Sequence, residues 1–246
     1  MKMWKSFSWV LGLCLTLSLF TSCLDDDDYS LGNFSMGVAS VKAPNGSAPY
    51  FRLDDGTTLW PAAGYLPGSL KDNQRVWMNF TLLGDSAMGA VGYDYYIRVN
   101  RLDEVLTKTP VEHLGAAAND SIYGTDPVKI LGMWTGNGFL TIHFGANFGG
   151  QERHWINLVN SADADKPYEL EFRQNAYNDS PMYSSQSLVC FDLRSLPSAD
   201  EKVTLSIRVH TFEGEKVYEV AYDTKGLEAG GEMKLNETEI SSNQVK

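Results

Sequence analysis

Basic residues are in short supply in this chain. Its 246 residues carry 20 Lys and Arg against 31 Asp and Glu. That balance excludes a nucleic-acid partner, because such binding is driven by cations that neutralise phosphates, and no basic cluster interrupts the acidic surface. Helical spacing of apolar residues is nearly absent, so an all-α or α/β fold is excluded. Long apolar runs are also lacking. The single run, from Trp9 to Phe20, is too short to span a bilayer as a mature helix. Only three cysteines occur, Cys14, Cys23 and Cys190. No serine stands in the G-x-S-x-G setting of a nucleophile elbow.

What is present begins with that short run. Lys2 and Lys5 precede it, and Leu19-Phe20-Thr21-Ser22-Cys23 ends it, which reads as a signal peptide over 1–22. A small residue immediately before cysteine resembles the bacterial lipobox, so Cys23 is expected to be acylated and to become the mature N-terminus. Each buried methylene of an acyl chain contributes about 0.8 kcal/mol, and two or more chains hold a protein stably on a membrane. Asp25, Asp26, Asp27 and Asp28 follow. They resemble the export signal that sends Bacteroidetes lipoproteins to the outer face of the outer membrane. Losing residues 1–22 removes two lysines and no acid, leaving 18 basic and 31 acidic residues and a net charge of −13. The acidic tether of 23–32 reaches at most about 35 Å when extended. With Cys14 removed and Cys23 acylated, Cys190 is the one thiol left, so no intrachain disulfide is expected.

Period-two alternation dominates the rest, punctuated by Asn-Gly and Asp-Gly pairs, the signature of strands joined by tight hairpins. Strands are expected over 34–42, 49–54, 57–60, 75–83 and 93–99. Val76, Met78, Phe80 and Leu82 share one face of the fourth, and Tyr93, Tyr95, Ile97 and Val99 one face of the fifth. Five short strands fit an OB-type small barrel, because closure removes exposed edges. Leu102, Val105 and Leu106 have the spacing of one helical turn, and Pro110, Gly115, Ala116 to Ala118 and Gly124 read as a connector. The barrel is therefore placed at 33–106 and the connector at 107–125. Seven further strands, over 128–135, 139–148, 154–160, 168–174, 187–193, 203–212 and 216–222, match an immunoglobulin-like β-sandwich at 126–223. Beyond 224 aromatics vanish, which predicts a disordered tail to 246.

Several strings then resemble one family in combination: Tyr29-Ser30-Leu31-Gly32, Leu53-Asp54-Asp55-Gly56-Thr57-Thr58-Leu59-Trp60-Pro61, Tyr93-Asp94-Tyr95-Tyr96, Asp126-Pro127-Val128-Lys129 and Cys190-Phe191-Asp192-Leu193. The chain is similar to NigD-like lipoproteins of the Bacteroidetes over roughly 23–222. The resemblance implies an N-terminal OB-type domain and a C-terminal β-sandwich, with a bacteriocin-immunity type of role. It brings no catalytic residue and implies no cofactor.

The remaining polar and aromatic residues form no catalytic set. His143 and His154 fit no zinc-ligand spacing, and alternation puts His143 on the solvent side of its strand. Gly145, Gly149 and Gly150 lack a following helix that would complete a phosphate cradle. Adjacent Asp54 and Asp55 suit a hairpin turn better than an acid-base pair. Cys190, between Val189 and Phe191, reads as an inert small apolar residue. Asp85-Ser86-Ala87 and Asp120-Ser121-Ile122 resemble the short glycosylation motif of Bacteroidetes envelope proteins, which marks Ser86 and Ser121. Trp77 and Tyr96 fall on the outer side of their strands, as anchors for packing or as ligand-contact aromatics. The leading expectation is a non-catalytic surface lipoprotein, anchored in the outer membrane by its acyl chains, that binds a protein partner. The alternative is a glycan-binding accessory protein for nutrient capture.

Overall fold

The computed structural model describes residues 32–85, 92–225, 230–232 and 245–246. Cys23, Asp25, Asp26, Asp27, Asp28 and Ser86 lie outside the described residues. Among the described residues no helix is long and apolar enough to cross a membrane.

Five strands, β1 (Ser35–Lys42), β2 (Tyr50–Leu53), β3 (Thr58–Gly64), β4 (Arg75–Asp85) and β5 (Tyr95–Glu104), close a barrel in the order β1-β2-β3-β5-β4. Closure needs β3 and β5 to run parallel, and they do, with Leu59 opposite Tyr95 and Trp60 opposite Tyr96. The alternating set points inward as expected except for Tyr93, which lies ahead of β5 where the pleat does not reach and sits outside against Tyr50 and Trp60. Val76, Met78 and Phe80 of β4 and Ile97 and Val99 of β5 join Ala39, Val41, Phe51 and Leu59 in one core. Each large side chain of this kind contributes about 1.5–3 kcal/mol when fully buried.

Extended structure does not stop where the sequence pattern weakens. The expected helical turn at Leu102, Val105 and Leu106 is absent: β5 runs to Glu104, which pairs with Val76, and after Val105 the chain enters β6 (Leu106–Lys108). Ladder pairing to β4 outweighs a three-residue apolar spacing, since an isolated helical turn fixes several dihedrals for a single hydrogen bond. In the segment that reads as a connector, Val111 bridges Val159 and a helix, α1 (Ala116–Tyr123), packs on the sandwich. Tyr123 lies 5.9 Å from the Trp155 ring, and Asp120 binds Arg173 at 2.8 Å.

The second body is a two-layer sandwich. One sheet holds β7 (Lys129–Gly136), β8 (Phe139–Phe148) and β11 (Tyr183–Asp192), with β6 on one edge and β14 (Gly230–Glu232) on the other. The second sheet has the order β13 (Gly214–Tyr222), β12 (Val203–Thr211), β10 (Glu169–Asn175) and β9 (Trp155–Val159). Between them lie Ile142, Phe144, Phe148, Phe172, Phe191, Leu205, Ile207 and Val209. Two pairings, β6 with β11 and β10 with β12, are parallel. Two pieces of the segment beyond 224 join the sandwich. β14 pairs with Thr135, Trp134 and Met133 of β7, and Val245 is buried beside His154.

The barrel packs on the outer face of the β7-β8-β11 sheet. Val38 from the barrel meets Trp134, Phe139, Leu188 and Cys190 from the sandwich, with Val105 at the crossing point and Trp77 against the cluster. This covering also corrects the reading of His143. It does lie on the face opposite Ile142 and Phe144, but it is buried rather than solvent-facing, because its ladder partner Leu188 belongs to the covered cluster. Gln186 supplies its ring nitrogen with a partner at 2.9 Å.

Candidate functional site

Trp77 and Tyr96 occupy the outer sides of neighbouring strands, as their alternation requires, but they are not brought together. Tyr96 is opposite Gly84, seven positions along β4 from Trp77, a separation of about 20 Å at the rise of a strand. Trp77 is half-buried against the interdomain cluster, with the Arg101 guanidinium 5.8 Å from its ring. Its commitment is to packing. Tyr96 is opposite Trp60 on the outer side of the barrel, and both are half-buried. Ser121 is exposed on α1.

The densest polar constellation was not legible as one in the sequence. Arg75, the first residue of β4, is fully buried at the junction of the two domains. Its guanidinium donates to Asp54 at 2.6 Å, Ser40 at 2.9 Å, Thr141 at 3.1 Å and the Cys190 sulfur at 3.5 Å, and lies 4.9 Å over the Phe139 ring. Asp54 in turn accepts from the Trp134 indole at 2.7 Å and from Asn137 at 3.2 Å. Barrel and sandwich thus share one saturated ion pair. Gly136 is where the sandwich makes room for it, since a Cβ there would collide with Asp54. The adjacent Asp55 does the turn work expected of the pair, accepting from Thr57 N–H at 2.8 Å. Burial alone would lower the Arg75 pKa, but Asp54 more than offsets this and holds it above its ordinary value. Burial pushes the Cys190 thiol up, with Arg75 only partly opposing it. A thiol held in this state is a poor nucleophile.

A second constellation sits at the sandwich end formed by the β8–β9 and β10–β11 loops. Asp179 accepts from the backbone N–H groups of Gly149 at 2.6 Å, Gly150 at 3.2 Å and Gln151 at 3.3 Å. The amides of Gly149 and Gly150 are therefore filled by the protein's own carboxylate. Hydrogen bonding from Gly149 first, and from the other donors, holds Asp179 below the usual carboxylate range, although burial opposes it. Gly149 must be glycine for this approach, since a Cβ would strike the Ser180 carbonyl and the Asp179 carboxylate. His154, stacked on Phe148 at 4.5 Å, adds its ring nitrogen to Asp179 at 3.3 Å.

The loop fixed in this way carries an unusual backbone. Tyr177 and Asn178 have φ of 52° and 61°, a left-handed conformation that costs non-glycine residues about 1–2 kcal/mol each. Tyr177, Met182 and Tyr183 project into solvent around it, Met182 at 76 % exposure. The Lys246 ammonium lies 4.9 Å from the Tyr177 ring. No sequence signal announced this patch, because Tyr177 and Met182 lie between strands where periodicity says nothing. Nearby, Lys108 ties the sandwich edge by donating to the Ile156 carbonyl at 2.7 Å and Asn157 at 2.8 Å, and burial pushes its pKa down to about 8. Among the described residues no group of three or more His, Cys, Asp or Glu is placed to hold a metal ion.

The model of the NigD-like N-terminal OB domain matches residues 38–105, and that of the NigD-like C-terminal beta sandwich domain matches residues 109–222. Among solved structures, a protein of Parabacteroides distasonis called toxin-related is 43% identical, with a TM-score of 0.70 over 79% of this chain and 96% of its own. A protein of unknown function from Bacteroides vulgatus is 26% identical, with a TM-score of 0.68 over 87% of this chain and 100% of its own. A NigD-like immunity protein from Bacteroides caccae shares the fold at 18% identity, with a TM-score of 0.58 over 77% of this chain and 93% of its own. No curated protein matches the chain. An OB barrel followed directly by a β-sandwich, matched domain by domain by these models, makes this chain a member of the NigD-like family.

Proposed function

We propose that this protein is a non-catalytic lipoprotein of the cell surface that captures a secreted protein through the sandwich-end loops, in an immunity-type role. The observation that carries the reading is the fixed 177–183 loop. Three exposed apolar side chains stand on a backbone held by four hydrogen bonds to Asp179. Tyrosines on a preordered scaffold lose little entropy on contact and are enriched among residues that dominate protein interfaces. Local backbone strain concentrates at binding sites. The immunity assignment of the Bacteroides caccae relative supports a protein partner. The lipobox-like Cys23 and the Asp25 to Asp28 run support an acyl anchor in the outer membrane with the domains outside.

The test is a protection assay. Deleting the gene sensitises cells to proteins secreted by a competing strain, and the wild-type gene restores resistance. A Tyr177→Ala, Met182→Ser, Tyr183→Ala variant with an unchanged melting temperature fails to restore it. Unchanged sensitivity of the deletion strain to every competitor secretion overturns the reading.

A further inference from the structure

A second surface, unconnected to the sandwich-end loops, lies on the outer wall of the barrel. Register places one residue from each strand in a single transverse row. Lys42 of β1 is opposite Tyr50 of β2. Tyr50 is one step from the Phe51–Leu59 pair and so meets Trp60 of β3, Trp60 is opposite Tyr96 of β5, and Tyr96 is opposite Gly84 of β4. All three aromatics point away from the core, since their neighbours Phe51, Leu59 and Ile97 point into it. Tyr93, two residues ahead of β5, completes the row. Its ring centroid is 4.9 Å from Tyr50 and 4.9 Å from Trp60, tilted by only 32° to the latter.

This ring strip is held in place from beneath. Asp94 accepts from the Thr58 backbone N–H at 2.7 Å and its hydroxyl at 2.8 Å, while Asp94 N–H donates back to the Thr58 carbonyl at 3.0 Å. That clamp fixes Tyr93 against Trp60. Among the described residues none of the four rings takes a side-chain hydrogen bond, so three phenol groups and an indole N–H stand at the edge of the strip as unused polar handles. Among the described residues a Cβ at Gly84 would meet nothing within 4 Å.

We infer that Tyr50, Trp60, Tyr93 and Tyr96 form a stacking platform for a neutral oligosaccharide. Pyranose rings present C–H faces that suit the negative face of an aromatic ring, and their hydroxyl rim suits phenol and indole donors. Strands about 4.8 Å apart set successive aromatics at a spacing comparable to one sugar ring. Nucleic acid would also stack, but the acidic charge of the chain repels phosphates. A protein hot spot prefers a desolvated central pocket, whereas this strip lies on a convex wall. The same general face of OB folds takes oligosaccharides or oligonucleotides, and charge selects the former. The platform stands whether or not the sandwich-end loops capture a protein.

The experiment uses the full non-acylated mature chain against an immobilised panel of β-glucan, β-mannan, xylan and N-acetylglucosamine oligomers, with tryptophan fluorescence titration of any ligand found. The wild type binds at least one class. Trp60→Ala and Tyr93→Ala each weaken it about tenfold or more, Trp60→Phe keeps most of the affinity by retaining a stacking face, and Val217→Ser, exposed on β13 of the sandwich, leaves it unchanged. If Trp60→Ala does not fold, Tyr50→Ser and Tyr96→Ala on the same row carry the comparison. No binding to any panel member, or binding indifferent to these substitutions, overturns the inference. Binding to phosphatidylethanolamine vesicles alone, lost in Trp60→Ala, also overturns it and assigns the strip to lipid.

Discussion

The indole of Trp134 in the sandwich donates to the Asp54 carboxylate of the barrel at 2.7 Å, and Asp54 is the counter-ion of the fully buried Arg75. Breaking a buried pair by removing one partner costs about 3–5 kcal/mol, because the other charge is left uncompensated. Asp54→Ala should therefore destabilise the whole chain by that amount in urea denaturation. Arg75→Ala should cost a similar amount, and the double variant should cost less than the sum, with a coupling of about 1–3 kcal/mol. Additive losses would mean that the pair contributes no mutual energy. Trp134→Phe keeps most of the packing and should cost about 2 kcal/mol through the lost bond to a charged group.

Cys190 should behave as a reporter of global opening. Its thiol is buried and its pKa is raised, so iodoacetamide should label it only as fast as the protein unfolds. Rapid labelling in native buffer would contradict the packing described. The sign of its pH effect follows. An unfolded thiol ionises near about pH 8.5, whereas the folded one stays protonated beyond that. The folded state then binds more protons, and stability falls as pH rises above about 8.5. Cys190→Ala should lower stability at pH 7 through lost packing and flatten this alkaline decline.

For Asp179 the sign is opposite. Its folded pKa lies below the ordinary carboxylate value, so its contribution is present above the unfolded value of about 3.9 and is lost as pH falls through the folded value. Acid should therefore release the 149–151 and 177–183 segments, seen as faster proteolysis or amide exchange there. Asp179→Asn should produce the same release at neutral pH. Gly149→Ala should mimic it by collision, and protection unchanged in both variants would show that the loops are held by something else.

Anchoring is tested by fractionation. Cys23→Ser should abolish acyl labelling and release the protein from membranes. Replacing Asp25 to Asp28 by alanine should keep it membrane-bound while removing it from the surface, as read by protease shaving of intact cells. Retention of Cys23→Ser in the membrane fraction would refute the acyl anchor.

Most of the strand architecture was legible because burial on a pleated surface imposes period two. Val203, Leu205, Ile207 and Val209 show it in β12, and Val76, Met78 and Phe80 in β4. Partner choice leaves no such trace. Nothing in the alternation says that β10 pairs parallel with β12, or that β6 closes an edge beside β11. The interdomain lock was hidden for a different reason. Arg75 and Asp54 look like ordinary residues at a strand start and a turn, and their meaning arises from Thr141, Trp134, Asn137 and Cys190, each 66 to 115 positions in sequence from the residue it bonds. His143 misled in the same way, since a face that alternation assigns to solvent was taken by the other domain. Aromatic outer positions were readable at Trp77 and Tyr96, yet which of them packs and which stays open depended on where the barrel docks.

A single residue, Val105, separates the last barrel strand from the first sandwich strand, and its N–H is itself bonded to the Arg75 carbonyl at 3.0 Å. Mechanically, the protein has no elbow. Barrel and sandwich therefore move as one block, and the sandwich-end loops keep a fixed position and orientation relative to the aromatic wall of the barrel. An insertion at Val105 would create a joint where the fold has none.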